Sequence, residues 1–147
     1  IMELPDSWDS AFDSGRDYGL LVMRLGVGLM FFFVHGLAKI QAGPELWAKI
    51  GGAMANFGVT FLPAFWGFMA ASAECFGGLF LAAGLLARPA AAAMAFTMLV
   101  ASVMHLSAGD GLKGASHAVE LFFVLSGLAL AGAGRFSLDR KFFGGKI

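Results

Sequence analysis

A single cysteine, Cys75, is all the thiol chemistry this chain carries. One thiol excludes an internal disulfide and any C-x-x-C pair, and with them a self-contained thiol relay. Charge is equally scarce: 14% of residues are Asp, Glu, Lys or Arg, and their formal sum is zero. That balance leaves no basic surface for nucleic acid. Alternation of apolar and polar residues over roughly ten-residue segments is missing too, which removes a membrane β-barrel. No haem, flavin or disulfide centre and no usable internal repeat is evident, and the alanine run from Ala90 reads as helix.

What fills the chain instead is apolar residue, 59% of the total, with a mean hydropathy of +0.78. Four stretches stand out, over about 19–38, 61–87, 89–108 and 115–134. Each meets the requirement of about 20 residues to cross a hydrocarbon core some 30 Å thick. The expectation is an all-α, integral membrane four-helix bundle over residues 19–134, with tails at 1–18 and 135–147. The first stretch is too long and too far from the start for a cleaved signal peptide, so it is expected to remain in the mature protein. In the N-terminal tail, Trp8 and Phe12 lie four apart, as on a short helix at the membrane surface. Between the first two spans, Leu46, Ile50, Met54 and Phe57 recur at near-helical spacing behind Pro44, so an interfacial helix is expected over 44–57, weakened by Gly51 and Gly52. The other links, "RPA" and "SAGDGLKGAS", are short, which makes consecutive helices antiparallel neighbours. Arg16, Arg88, Arg135, Arg140, Lys141 and Lys146 fall on one side and Lys39, Lys49 and Lys113 on the other. The richer side is expected to be cytoplasmic, with both termini there.

Six ionisable residues interrupt the spans: Arg24, His35, Glu74, His105, His117 and Glu120. A charge at mid-bilayer costs about 2.5–3.5 kcal/mol even on the gentlest insertion scales, so such groups turn inward and find partners. The topology sets Arg24 low, Glu74 near the middle, and His35, His105, His117 and Glu120 in the outer third. Glu74 and His105 share their helix faces with small residues, which marks packing faces. Arg24 either snorkels to lipid phosphates or reaches up to Glu74. Paired or alone, Glu74 suits a proton relay. Lys39, one turn past His35, either snorkels or forms the polar lip of an apolar pocket.

Two ligands suit such a cluster. His35, His105, His117 and Glu120 form a donor set for iron, zinc or copper, although H-x-x-E at 117–120 reverses the order found in bundle di-iron proteins. A quinone headgroup would use an aromatic cleft, for which Phe31, Phe32, Trp66, Phe122 and Phe123 are available, with a few convergent polar groups. The bland alternative is hydrogen bonding across the bundle that only fixes helix register. Cys75 points about 100° away from Glu74 and reads as a small buried residue. The "GVG" at 26–28 follows no strand and is no phosphate loop.

"RLGVGLMFFFVHGLAKI", "AECFGGLFLAAGLLARPAA", "MLVASVMH" and "ELFFVLSGLALAGAGRFSLDR" together resemble, in order and spacing, the four spans of the DoxX family of small bacterial membrane proteins. The resemblance runs from Gly19 to Arg140. It implies an inner-membrane, multi-pass subunit associated with oxidoreductase systems, among them a thiosulfate:quinone oxidoreductase and complexes with superoxide dismutase and sulfurtransferase. Related vertebrate proteins are channel chaperones. Residue by residue, it implies a polar core of Arg24, His35, Glu74, His105 and Glu120, in which His117 has no place. The expected function is quinone-linked electron or proton transfer, with Glu74, His35 and His105 moving protons and electrons supplied by partner subunits. The alternative is a non-catalytic accessory or assembly subunit. Lipid surrounds the chain in either case, and a homo-oligomer is compatible with both.

Overall fold

The computed structural model describes residues 6–144 of the chain, with side chains from Asp13 onward. Trp8 and Phe12, expected on the membrane-facing side of a surface helix, lie outside the described side chains. Every regular element among the described residues is helical. Helix α1 (Asp6–Met30) passes through a π-helical turn (Phe31–Gly36) into α2 (Leu37–Gln41). Then come α3 (Pro44–Gly51), a 3₁₀ turn (Gly52–Phe57), α4 (Pro63–Ala83), α5 (Ala87–Ser107), α6 (Gly111–Ala131) and the short α7 (Leu138–Phe143).

Four of these helices are long and apolar enough to cross a membrane: Asp13–Gln41, Pro63–Ala83, Ala87–Ser107 and Gly111–Ala131. Their outer surfaces carry side chains that water would not tolerate in such density, among them Leu130 at 80% exposure, Phe123 at 67% and Phe33 at 63%. The solvent for these faces is lipid, and the chain is a multi-pass membrane protein. The tail expected at residues 1–18 is not set off from the first span, because the helix runs unbroken from Asp6. The interfacial stretch divides where Gly51 and Gly52 weaken the α-helix, and a 3₁₀ turn takes over.

Around the bundle α1 packs on α4, α4 on α5 and α5 on α6, while α3 lies against α4. The α1–α4 contact is a backbone contact. A Cβ on Gly28 would sit 2.5 Å from the Gly78 carbonyl oxygen, and one on Gly36 would collide with the Cys75 backbone. In an uninterrupted α-helix two residues eight apart are about 80° out of line at about 100° per residue. The π turn, in which the Leu37 N–H donates to the Phe32 carbonyl, rotates less per residue and brings Gly36 back toward the Gly28 face. Both glycines therefore meet α4. The core behind this contact holds Phe31, Leu81, Met94, Met98, Leu125 and Leu128.

At the opposite end from the π turn the C-terminal segment folds back over the bundle. Asp17 Oδ1 accepts the Arg135 N–H at 3.0 Å, so α1 and the exit of α6 lie at the same end. Asp139, 1% exposed, accepts the N–H groups of Leu86 and Ala87 at 2.7 and 2.9 Å and thereby caps α5. Its own N–H donates to the Gly84 carbonyl at 2.8 Å.

Gly36→Ala should lower stability by about 1–3 kcal/mol through overpacking, read as an earlier loss of the monodisperse peak on heating in mild detergent. Gly26→Ala, with nothing within 4 Å of the added carbon, should melt with the native protein. Asp139→Ala should cost about 2–5 kcal/mol, since it removes a helix cap and leaves the buried Arg24 without its nearby opposite charge; the same melting assay measures it.

Candidate functional site

The glycine contact decides which charge reaches Glu74. Gly36 lies on Cys75, so the next turn of the rod brings Lys39 over the neighbouring residue of α4. Lys39 Nζ donates to Glu74 Oε1 and Oε2 at 2.8 and 2.6 Å. The glutamate side chain is 3% exposed and the lysine 29%. Both carboxylate oxygens are answered by one ammonium, the arrangement a low-dielectric site requires if it is to hold an ionised acid. Trp47 of α3 closes the turn by donating its indole N–H to the Lys39 carbonyl at 2.8 Å.

Two cavities meet at Lys39. The larger, about 540 Å³, lies between α4 and α5 beneath the interfacial segment, and is lined by Ile50, Met54, Phe65, Trp66, Met69, Phe96, Met98 and Met104 with Lys39, Glu74 and His105 as its ionisable members. Phe65, Met69 and Phe96 are each about half exposed on the flank of the bundle, so the mouth of this cavity faces lipid. The smaller, about 160 Å³, is lined by Phe31, His35, Lys39, His105, His117 and Leu121 among others. Lys39, Met98, Ala101 and His105 border both.

All three histidines thus line one chamber. The His35 ring lies between Phe31 and His117, with centroids 5.5 and 5.8 Å away. His105 Nδ1 lies 2.7 Å from Asp110 Oδ2, at the loop where α5 gives way to α6. The chamber therefore runs from an exposed carboxylate at the bundle end to the wall of the apolar cavity.

Two expected members stand elsewhere. Arg24 does not reach Glu74. It is 1% exposed at the opposite end, where Nη1 donates to the Leu81 and Ala82 carbonyls at 3.2 and 3.3 Å and Nη2 to the Phe136 carbonyl at 2.7 Å. Fifteen residues of helix separate it from Lys39, roughly 22 Å at helical rise, and the nearer carbonyls claim it. Glu120 is exposed and lines neither cavity, because three residues past His117 is about 300° of helix and the two side chains diverge by about 60°. In consequence the donor set of His35, His105, His117 and Glu120 does not assemble, and among the described residues no three His, Cys, Asp or Glu side chains are placed to hold a metal ion. Cys75 is buried and free. Of the aromatic residues expected at a cleft, Trp66 lines the large cavity and Phe31 the small one, while Phe123 faces lipid. Sequence reasoning passed over Lys39 as the partner of Glu74 and Asp110 as the partner of His105. The available signal was that Lys39 is the one cation in the outer half of the first span.

Comparison with known proteins bears on this architecture. A protein of Bacillus subtilis (strain 168) that carries the name Putative oxidoreductase CatD is 32% identical over 130 residues, covering 88% of this chain and 91% of that protein. No solved structure matches the chain. The DoxX family model matches residues 19–106, a stretch that contains Lys39, Glu74, His35 and His105. With the family model over most of the chain and a relative alike along nearly its full length, the protein belongs to the DoxX family.

Proposed function

We propose that this protein is the membrane subunit of an oxidoreductase system and that its large cavity receives a quinone headgroup from the bilayer. The observation that carries the reading is an apolar, lipid-facing cavity lined by three ionisable groups, the Lys39–Glu74 pair and His105. An apolar cleft with a few convergent polar groups is what a flat ring with carbonyl oxygens needs. The name of the Bacillus relative supports an oxidoreductase role. A bound quinone supplies two-electron, two-proton chemistry; the electrons come from a partner subunit.

The residues of this chain then have separate tasks. His105 and Lys39 donate hydrogen bonds to the headgroup oxygens, and Glu74 holds the Lys39 side chain in place. His105 passes protons between the cavity and the chamber it shares with His35 and His117, and Asp110 anchors that ring at the bundle end. Aromatic and methionine side chains exclude water. In the same reading both termini face the cytoplasm of a bacterial inner membrane, because the arginine-rich end is the one that carries them. A second reading, an accessory subunit in which the polar groups only set helix register, is favoured by one fact: the Lys39–Glu74 pair is complete in itself.

Trp47 and Trp66 border the region and report on it. Titration of the detergent-solubilised protein with a short-chain quinone should give saturable quenching of tryptophan fluorescence. His105→Ala and Lys39→Gln should each weaken it by about 10–100-fold, the worth of a hydrogen bond to a charged or polarised donor. The double change Lys39→Leu with Glu74→Met removes the pair together and should keep the fold while losing the ligand. Absence of saturable quenching, or native affinity in that double variant, overturns the quinone reading. The accessory reading expects a complex that dissociates without this subunit while its isolated catalytic partner retains turnover.

A further inference from the structure

The end of the bundle remote from the histidines holds a third cavity, of about 390 Å³, that the functional reading leaves unused. Four arginines line it: Arg16 from α1, Arg88 from the start of α5, Arg135 from the exit of α6 and Arg140 from α7. Three aspartates line it as well, and each is engaged. Asp13 pairs with Arg16 at 3.5 Å, Asp17 accepts the Arg135 backbone N–H, and Asp139 accepts two N–H groups of the α5 cap. The guanidinium groups of Arg88, Arg135 and Arg140 have no carboxylate partner among the described residues. Arg88 lies along Gly132, where an added Cβ would stand 2.9 Å from Nε, so the turn after α6 leaves room for this side chain beside the cavity.

The depth of this cavity is fixed by the spans. Asp13 begins the first, Ala87 the third, and Ala131 ends the fourth, so residues lining it sit where hydrocarbon gives way to headgroups. We infer that this cavity binds a phosphate group, with Arg88, Arg135 and Arg140 as its donors. Guanidinium forks match phosphate oxygens in pairs, and basic pockets at this depth between membrane helices receive anionic lipid headgroups. The same chemistry accommodates the phosphodiester of an anionic phospholipid or a soluble polyphosphate. Binding here would tie the start of α5, the exit of α6 and the returning tail through one anion.

The test uses the full chain, delipidated in mild detergent, with thermal unfolding and native mass spectrometry as readouts. Phosphatidylglycerol should raise the melting temperature and remain bound, whereas phosphatidylcholine should do neither. Each arginine near the surface strengthens lipid attraction by roughly fivefold, so Arg88→Gln, Arg135→Gln and Arg140→Gln together should weaken retention by about a hundredfold. Arg16→Gln, already paired, should change little. If pyrophosphate gives the shift and phosphatidylglycerol does not, the site stands with a soluble anion as its ligand. If neither gives a shift, or if the triple variant, melting like the native protein without additive, retains phosphatidylglycerol equally well, the site does not exist.

Discussion

A charge inside hydrocarbon is costly unless something answers it, and this constraint shapes the surroundings of Glu74 at one end of the molecule and of Arg24 at the other. At one end the answer to Glu74 is a single ammonium that meets both carboxylate oxygens. At the other, Arg24 is met by three backbone carbonyls and by Asp139 nearby, and Asp139 in turn by the first amides of α5. The two solutions differ in kind. Two of the carbonyls on Arg24 belong to the last turn of α4, where a helix terminus leaves such groups without helical donors, and the third, of Phe136, comes from the returning tail. The Lys39–Glu74 pair uses side chains alone, and so it can sit in the wall of a cavity.

Side chains can meet this way only because backbones come close first. Gly28, Gly36 and Gly78 remove the spacing that Cβ atoms would impose between α1 and α4, and the π turn brings Gly36 into line. A π turn often marks a functional position, since its extra residue re-aims the side chains of the next turn. In this helix the re-aimed side chain is that of Lys39. The fold and the site are thus two results of one register shift.

The four spans were legible because bilayer thickness dictates helix length, and the gathering of His35, His105 and His117 because antiparallel topology fixes heights. Less legible were directions. A lysine one turn past a histidine can snorkel or turn inward with equal ease on sequence alone, and only the approach of α4 chooses. Arg24 was misread for a related reason: the sequence shows which acid is far away but not which carbonyls are near. Glu120 shares a helix face with His117 only loosely, and the remaining rotation carries it to the outside. The π turn left no mark at all in a run of three phenylalanines.

The returning tail has one more effect. Asp139 lies beyond the fourth span in the chain, yet it completes the beginning of the third. The third helix therefore enters the membrane with its leading amides open, and they close only once Asp139 has emerged behind the fourth span. A chain that stops short of Asp139 keeps that end ajar, with the first turn of the third helix free to fray.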